Sequence, residues 1–408
     1  MDFELTQGGV CAPRGFSAGG VHCGIRRNPS KLDLALIYSE IPASAAGTFT
    51  QNRVKGAPVR VSKTHLADGR AQAILCNSGI ANTCSADGME KAEAVCRLLE
   101  ESSLGVRAED VVVASTGVIG PSLPLEPFQT GMEALISSLD RESSDRAALG
   151  IMTTDIVPKQ IAVRFELGGR ECFLGGIAKG SGMLHPNMAT MLGFLTSDVA
   201  ITPQMLQAAL GDAVNETFNM ISVDGDTSTN DMVAALSNGL AGNPVIRAED
   251  EDYFQFRSIL LYVCRQMARM IARDGEGATK LLECEVTGAR TRETARQIAR
   301  AVVSSTLVKT AMYAEDANWG RILCAIGYCG AAVEIGRIDV SLRSQVGQVK
   351  VCESGSGIPF SEEEASMVLA QPEILICVSV GTGAYSAAAY GCDLTHEYIQ
   401  ITGTYRKK

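Results

Sequence analysis

The order of apolar and polar residues along the chain predicts a succession of strands and helices. Short apolar or β-branched runs bounded by polar residues or glycine are typical of strands, and they occur at Ala73–Cys76, Val111–Val113, Ile161–Phe165, Ile338–Leu342, Val349–Val351, Ile374–Val380 and Tyr398–Ile401. Apolar residues at three-to-four spacing are typical of helices, and they predict helices at Met89–Leu99, Met205–Phe218, Tyr253–Ala272 and Thr294–Ser304. Strands mixed with helices of this size favour an α/β or α+β protein around a substantial sheet.

Length and composition narrow the class of protein. At about 150 residues per domain, 408 residues correspond to two or three domains or to one large two-layer body with a lid. Hydrophobic residues make up 46% of the chain and charged residues 20%, which is ordinary for a globular protein and excludes extended disorder. No internal repeat is visible, and the feature closest to a boundary is the glycine-rich segment Gly175–Gly182.

The charge balance excludes a nucleic-acid-binding protein, and the length of the apolar runs excludes a membrane-spanning one. The chain has 36 Lys and Arg against 46 Asp and Glu, which gives a net charge of −10. An acidic chain of this kind lacks the positive surface potential that nucleic-acid binding needs. The longest apolar runs, near Ile259–Cys264 and Ile374–Val380, are far shorter than the ~20 residues of a membrane span. The start Met1–Cys11 lacks the pattern of a signal peptide, so a cytoplasmic protein is expected.

Cysteine and histidine spacing gives no sign of a metal site. The 13 cysteines are scattered without a C-x-x-C pair, and the 4 histidines are isolated. Buried, reduced thiols that act as small apolar residues are therefore expected. The acidic run Asp224–Asp231 lacks the later Gly and Glu of a calcium loop and is interpreted as a structural polar turn. No cofactor is expected.

The segment Gly175–Gly182 raises the question of phosphate binding, and its details argue against it. A P-loop needs Gly-Lys-Ser/Thr leading into a helix, whereas here Lys179 precedes Gly180 and Pro186 follows within a few residues. By itself the segment predicts a flexible loop between a strand and a buried segment. Downstream, however, the small residue Ala189 precedes Thr190 and an apolar run. A threonine hydroxyl there can attack the preceding carbonyl, and cleavage frees an α-amine that serves as base for the same hydroxyl.

Strings along the whole chain resemble the ornithine acetyltransferase family, the glutamate N-acetyltransferases of the arginine pathway. The most specific string, Lys179–Leu192, is similar to the self-processing segment of that family. The other matching strings, in chain order, are Ala12–Phe16, Asn77–Asn82, Ser115–Gly120, Ile151–Asp155, Ser222–Asp231, Arg273–Lys280, Asp316–Arg321 and Ala389–Thr395.

The resemblance implies a set of site residues. The nucleophile would be Thr190, freed by cleavage after Ala189, and the oxyanion hole would be formed by Thr116 and Gly117. Substrate-binding positions match Thr153, Lys179, Thr190 and Glu276. Lysine suits a substrate carboxylate and glutamate suits an amine, each through a charge-assisted hydrogen bond.

The resemblance also implies an activity, a fold and an assembly. Acetyl would pass from N2-acetyl-L-ornithine to L-glutamate through an acetyl-threonine ester, and the sequence leaves open whether acetyl-CoA is a second donor. The implied fold is a four-layer α/β/β/α body with an additional α/β lobe. Cleavage would give an alpha chain of residues 1–189 and a beta chain of residues 190–408 in one folded body, assembled as a heterotetramer of two alpha and two beta chains.

Two alternatives to an acetyltransferase stay open. The alternatives are an N-terminal-nucleophile aminopeptidase or amidohydrolase, in which water resolves the acyl-enzyme, and an inactive ligand-binding relative.

The C-terminal tail departs from the family pattern. Most family members carry an Asn and a terminal hydroxyl residue that touch substrate, where this chain has Thr402 and Lys407. Either the tail contributes to substrate choice through these residues, or it has drifted and is disordered.

Overall fold

The computed structural model of the chain describes residues 2–185 and 191–404. Its strands are β1 (Phe3–Thr6), β2 (Phe16–Val21), β3 (Leu34–Phe49), β4 (Arg70–Ile80), β5 (Val111–Val118), β6 (Lys159–Leu167), β7 (Arg170–Lys179), β8 (Leu192–Ser197), β9 (Ile221–Ser222), β10 (Met232–Ser237), β11 (Leu281–Ala289), β12 (Asp339–Ser344), β13 (Gly347–Glu353), β14 (Ser356–Gly357), β15 (Glu373–Ser379) and β16 (Tyr385–Cys392). Its helices are α1 (Ala57–His65), α2 (Gly88–Glu100), α3 (Glu126–Ser137), α4 (Ser144–Ile151), α5 (Pro203–Glu216), α6 (Glu251–Arg273), α7 (Arg292–Ser304), α8 (Thr306–Tyr313), α9 (Trp319–Tyr328), α10 (Glu362–Leu369) and α11 (His396–Thr404).

The chain divides into two compact units. Unit 1 contains residues 2–180, 191–215 and 227–267, and unit 2 contains residues 181–185, 216–226 and 268–404. The break after residue 180 falls inside Gly175–Gly182, the segment in which the sequence showed the nearest sign of a boundary. Each unit draws residues from both sides of the predicted cleavage point. Strands and helices mix in both units, which confirms the predicted α/β class.

Unit 1 is built on one sheet that helices cover on both faces. The strand order is β1-β6-β7-β8-β10-β3-β4-β5, with β2 paired to β3. Strands β4 and β5 are parallel, and their alternate residues enter two separate apolar cores. One core contains Ile74, Val112 and residues of α4, and the other contains Leu75, Val113 and residues of α1, α2 and α3. Burial on both faces explains why these strands appear in the sequence as continuous apolar runs.

Unit 2 is built on a second sheet, with the order β14-β13-β12-β15-β11-β16-β9. Helix α7 begins at the cap Thr291, whose side chain accepts a hydrogen bond from the Thr294 N–H. It packs its apolar stripe, which includes Ile298 and Val302, against β11 and β16. Within residues 2–185 and 191–404, no helix is both long and apolar enough to cross a membrane.

Two predictions about local structure are wrong. The glycine-rich stretch up to Lys179 is not a loop but the second half of β7. A Cβ on Gly175 would lie 1.8 Å from the Gly9 carbonyl oxygen, so glycine here permits close packing within unit 1. The predicted strand Tyr398–Ile401 is part of helix α11. Thr395 caps its first turn by accepting a hydrogen bond from the Glu397 N–H at 3.2 Å, and this cap outweighs the strand-like alternation.

The cysteines agree in part with the expectation of buried thiols. All 13 are free, and most are buried or half-buried. Burial raises the pKa of the Cys76 thiol to about 12, so it acts as an inert apolar side chain. Cys84 and Cys324 depart from the prediction, because both are exposed.

Candidate active site

The two predicted oxyanion donors lie side by side at the end of β5. Thr116 is 5% exposed and pairs in register with Ser78 of β4, and Gly117 pairs with Gly79. The strand ends approach so closely that a Cβ on Gly117 would lie 2.3 Å from the Gly79 carbonyl carbon and oxygen, and Gly117 has a φ of +130°. Only glycine fits there, and no side chain shields its backbone amide.

Lys179 ends β7 and contacts this strand end. It is 2% exposed, and its Nζ donates a hydrogen bond to Thr116 Oγ1 at 3.4 Å. In the sheet, β7 and β5 are separated by β8, β10, β3 and β4, so spacing in the sequence gave no sign of this contact. Because an ammonium only donates, the Thr116 hydroxyl accepts here, which leaves its own proton free for another acceptor.

Asp155 joins the Lys179 strand to the turn that contains Thr153. Its Oδ1 accepts hydrogen bonds from Lys159 Nζ and from the Gly180 N–H, both at 2.7 Å. Its Oδ2 accepts from the Thr153 N–H at 3.0 Å. Two segments of the predicted site, the turn with Thr153 and the strand end with Lys179, therefore meet at one buried carboxylate. Asp155 ends the string Ile151–Asp155 that matches the family, but neither it nor Lys159 was predicted from the sequence to be a site residue.

Charges around Asp155 explain its ionisation and that of Lys179. Burial by itself raises the pKa of Asp155, but the charges of Lys179 and Lys159 outweigh it and hold that pKa below its ordinary range. Burial lowers the pKa of Lys179, with Asp155 opposing this shift and Lys159 adding to it. Two lysines therefore share one ionised aspartate. An anionic ligand beside Lys179 would compensate the remaining positive charge.

The predicted nucleophile Thr190 and its neighbour Ala189 lie outside the described residues, but the next residue is held at both backbone groups. Met191 is 1% exposed, and its N–H donates to Asp231 Oδ1 at 3.1 Å. The Met191 carbonyl accepts from the Met232 N–H at 3.2 Å. This clamp fixes the chain one residue beyond Thr190.

Asp231 is a site residue that the sequence analysis missed, because the acidic run was interpreted only as a polar turn. It is 1% exposed, and burial raises its pKa well above the ordinary value, although the Met191 N–H bond and the Lys179 charge lower it. Its carboxyl therefore holds a proton more tightly than an ordinary aspartate does. At the other end of the run, Asp224 accepts from the backbone of Met183 and Leu184, as a structural turn would.

Asn230 fastens the same segment to β5, the strand that contains Thr116 and Gly117. Its Nδ2 donates to the carbonyls of Ala81 and Ser115, at 2.6 and 2.9 Å. Its Oδ1 accepts from the hydroxyls of Thr83 and Thr229, at 2.5 and 2.7 Å. All hydrogen-bonding positions of this buried amide are used, which fixes the residue before Thr116.

Glu276, the predicted amine-binding residue, lies in unit 2 against the glycine-rich segment. Its N–H donates to the Ser181 carbonyl at 2.9 Å, and a Cβ on Gly182 would lie 2.4 Å from its carboxyl carbon. Thr402 of α11 donates from Oγ1 to Glu276 Oε2 at 3.3 Å. The tail residue Thr402 thus contacts a predicted substrate-binding residue, whereas Lys407 lies outside the described residues.

The structure therefore brings some of the predicted site residues together. In unit 1, Thr116, Gly117, Lys179 and Thr153 are joined through Asp155 and the strand ends. In unit 2, Glu276 is joined to Thr402 and to the backbone of Ser181. Within the described residues no group of three or more His, Cys, Asp or Glu is placed to hold a metal ion.

A family model and related proteins match nearly the whole length of the chain. The model of the ArgJ family matches residues 17–407. The arginine biosynthesis bifunctional protein ArgJ of Caldanaerobacter subterraneus subsp. tengcongensis is 47% identical over 404 residues, covering 99% of this chain and 100% of that protein. The protein of the same name from Symbiobacterium thermophilum is 48% identical over 405 residues, with coverage of 99% and 100%. A solved structure of the ArgJ protein from Bacillus halodurans is 46% identical, covers 52% of this chain and 98% of its own, and has a TM-score of 0.49.

The family match and the relatives cover nearly every residue, including the strings on which the resemblance was based. They confirm the predicted resemblance and the prediction of an acyltransferase of arginine biosynthesis. The chain belongs to the ArgJ family.

Proposed function

We propose that this chain transfers acetyl from N2-acetyl-L-ornithine to L-glutamate through an ester on Thr190. The observation that carries the proposal is the buried contact between Lys179 Nζ and Thr116 Oγ1, on a strand end that Asp155 and Asn230 hold in place. It combines a cation for a substrate carboxylate with a hydroxyl for an oxyanion. The relatives' name, which places them in arginine biosynthesis, agrees with this chemistry.

The first step is self-processing at Ala189–Thr190. The Thr190 hydroxyl attacks the Ala189 carbonyl, the peptide C–N bond breaks, and an ester and a free α-amine form. Water then hydrolyses the ester, which leaves a carboxylate on Ala189 and regenerates the Thr190 hydroxyl. The clamp on Met191 supports this step, because it fixes the chain directly after the reacting residue.

In the first half of the transfer, Thr190 Oγ attacks the acetyl carbonyl and its proton passes to the Thr190 α-amine. The negative charge that develops on the acetyl oxygen is stabilised by the Thr116 O–H and the Gly117 N–H. Lys179 donates to the lone pair of the Thr116 hydroxyl, which directs the hydroxyl proton toward the oxyanion. The tetrahedral intermediate then collapses, and the α-ammonium returns the proton to the departing amine of ornithine.

In the second half, the amine of L-glutamate attacks the acetyl-threonine ester. Its proton passes through the Thr190 α-amine to the departing hydroxyl, so that N-acetylglutamate leaves and the enzyme is restored. Lys179 is proposed to pair with the substrate carboxylate, because its buried Nζ lies beside Thr116 Oγ1, where a carboxylate can accept a charge-assisted hydrogen bond. Thr153 and Glu276 are proposed as further substrate contacts on the basis of the family resemblance.

The direct test is an assay with acetylornithine and glutamate on the purified protein. Wild type should form N-acetylglutamate and ornithine in equal amounts, and Thr116→Ala should lower kcat by about a hundredfold, the usual effect of losing one oxyanion donor. Release of acetate in place of N-acetylglutamate would indicate the hydrolase alternative. Unchanged kcat in a folded Thr116→Ala variant would remove Thr116 from the mechanism.

We also propose that the processed protein assembles from two alpha chains of residues 1–189 and two beta chains of residues 190–408, and that it acts in the cytoplasm. Size measurement by light scattering should then give twice the 43.1 kDa mass of one chain. A particle with the mass of a single chain would contradict this assembly.

A further inference from the structure

A loop of unit 1 places Arg26 against the strand end beside the proposed oxyanion donors. The Arg26 side chain is half-buried, and a Cβ on Gly79 would lie 3.0 Å from its Cγ. Gly79 pairs in register with Gly117. The guanidinium donates a hydrogen bond from Nη2 to the carbonyl of Met152, the residue that precedes Thr153. Arg26 therefore lies between the end of β4 and the turn that contains a predicted substrate contact.

The loop that contains Arg26 is folded around the side chain of Asp33, which is fully buried. Asp33 Oδ1 accepts a hydrogen bond from the Cys23 N–H at 2.7 Å. Its Oδ2 accepts from the N–H groups of Gly24 and Arg26, at 3.2 and 2.9 Å. The Asp33 carbonyl accepts from the Ser78 N–H at 2.9 Å, which fastens the loop to β4. A loop held in this way positions Arg26 before any ligand binds, so little ordering is needed on binding.

Arg26 and Lys179 bring two positive charges to the same strand end. Both charges act on the Cys76 thiol of β4, where they oppose the rise in its pKa that burial causes. Lys179 is the cation proposed above for one substrate carboxylate. The acceptor L-glutamate has a second carboxylate on its side chain, whereas acetylornithine has an ammonium at that end. A charge-assisted hydrogen bond to the second carboxylate needs another cation in unit 1, and Arg26 is placed to supply it.

We propose that Arg26 binds the side-chain carboxylate of the acceptor glutamate and so selects glutamate over neutral amino acids. A guanidinium has several N–H donors, so one side chain can bind both the Met152 carbonyl and a carboxylate. Its planar fork also matches the two oxygens of a carboxylate. The ammonium end of acetylornithine cannot pair with a cation, so Arg26 acts on the second half of the reaction. The inference rests on the proposed function, because glutamate is the acceptor in it.

The test compares glutamate with glutamine as acceptor in wild type, Arg26→Gln and Arg27→Gln of the full chain. Glutamine has the shape of glutamate without the negative charge on the side chain. Arg27 is exposed and adjacent in the chain, so Arg27→Gln is a control with the same change of charge. In a two-step covalent mechanism, kcat/KM for the acceptor reports the second half of the reaction and kcat/KM for acetylornithine the first.

We expect kcat/KM for glutamate to fall about tenfold or more in Arg26→Gln only, because a hydrogen bond to a charged group contributes about that factor. The values for glutamine and for acetylornithine should stay within a few-fold of wild type. A purely structural role of Arg26 would lower the values for glutamate and glutamine alike and leave their ratio unchanged. Arg26→Lys keeps the charge without the fork, so its ratio should lie below that of wild type and above that of Arg26→Gln.

The inference is overturned if folded Arg26→Gln has the glutamate-to-glutamine ratio of wild type, if Arg27→Gln lowers the ratio equally, or if kcat/KM for acetylornithine falls as much as that for glutamate. If Arg26→Gln does not fold, Arg26→Lys decides, and an unchanged ratio in it overturns the inference. Failure of wild type to transfer acetyl to glutamate would contradict the proposed function and this inference together. An active wild type with an unchanged ratio in the variants would contradict this inference alone.

Discussion

Asp231 holds Met191, the residue that follows the proposed nucleophile Thr190 in the chain, by accepting a hydrogen bond from the Met191 N–H. Asp231→Asn keeps an acceptor at the same place and is neutral, as the tightly held proton of Asp231 requires. We therefore expect processing and acetyl transfer to stay within a few-fold of wild type. Asp231→Ala leaves a buried N–H unpaired, at a cost of about 1–3 kcal/mol, and should slow processing markedly.

Mass analysis of the two fragments over time measures both variants side by side. If Asp231→Asn slowed processing as much as Asp231→Ala in a folded protein, the carboxyl would be acting by more than positioning.

The raised pKa of Asp231 also predicts how stability changes with pH. A group whose pKa is raised by folding makes its full contribution to the stability of the folded state below its unfolded pKa, which is about 3.9 for aspartate. This contribution is lost as the pH rises through the raised pKa of the folded state. Asp231→Asn does not titrate, so its stability relative to wild type should increase from about pH 5 to about pH 8. Urea unfolding midpoints at the two pH values measure the difference. A difference that does not change with pH would contradict the protonated acid.

Lys179 and Thr116 are expected to act as one unit. Lys179→Met keeps the length of the side chain but removes the donor to Thr116 Oγ1 and the cation for the substrate carboxylate. We expect kcat/KM for acetylornithine to fall about a hundredfold or more, with a lower kcat as well as a higher KM. The double variant with Thr116→Ala should lose less than the product of the two single effects, because the residues share a contact. Strictly multiplicative effects would show that the residues act independently.

At the scale of elements, Gly182 closely approaches Glu276, a predicted substrate-binding residue. A Cβ on Gly182 would lie 2.4–2.6 Å from the atoms of the Glu276 carboxylate and would displace it. Gly182→Ala should therefore raise KM for acetylornithine about tenfold, as the loss of one charge-assisted contact does. Gly327→Ala on α9 is the matched control, because a Cβ there meets nothing within 4 Å. Equal kinetics of the two variants would argue against Glu276 as a substrate contact.

Helix α11 makes a prediction about substrate choice. Thr402 reaches Glu276 with a single hydroxyl at 3.3 Å, at a position where the family resemblance implies the amide of an Asn. Thr402→Asn adds donors and an acceptor at this place. We expect a higher kcat/KM for acetylornithine relative to acetylated amino acids without a cationic tip, whereas Thr402→Val should change the ratio little. A ratio that is the same in wild type and both variants would show that the tail has no part in substrate choice.

The elements also show what the sequence could predict. The apolar runs of β4 and β5 and the helical spacing of α2, α5, α6 and α7 were recognised, because continuous burial and a clear 3.6-residue period leave plain patterns. Strand β3 was missed, since its middle reads Ala-Ser-Ala-Ala-Gly without alternation or bulky residues. Strand β7 was mistaken for a loop, because its glycines are needed for packing against distant backbone, which sequence spacing does not reveal.

For the site, the family resemblance supplied Thr116, Gly117, Thr153, Lys179 and Glu276, whereas the residues that hold them were not foreseen. Asp155, Asn230 and Asp231 act through contacts between segments that are far apart in the chain.

At the scale of the whole molecule, the proposed transfer depends on one covalent intermediate. The fold provides a buried strand end for the proposed oxyanion contact, a lysine for the proposed carboxylate contact and a clamp beside the proposed nucleophile, and these act as proposed only if Thr190 is freed and acylated. Processing and acylation leave separate marks on mass. The proposed cleavage would yield fragments of residues 1–189 and 190–408, and the proposed acylation would add one acetyl group to the second fragment.

Mass spectrometry of wild-type protein quenched in acid after mixing with acetylornithine, without glutamate, tests this directly. We predict two fragments that meet between Ala189 and Thr190, with one acetyl group on the Thr190 residue of the second, and loss of that group when glutamate is added before the quench. Thr190→Ala should remain a single chain without acetyl. An intact wild-type chain that transfers acetyl at full rate, or an acetyl group on any residue other than Thr190, would contradict the account.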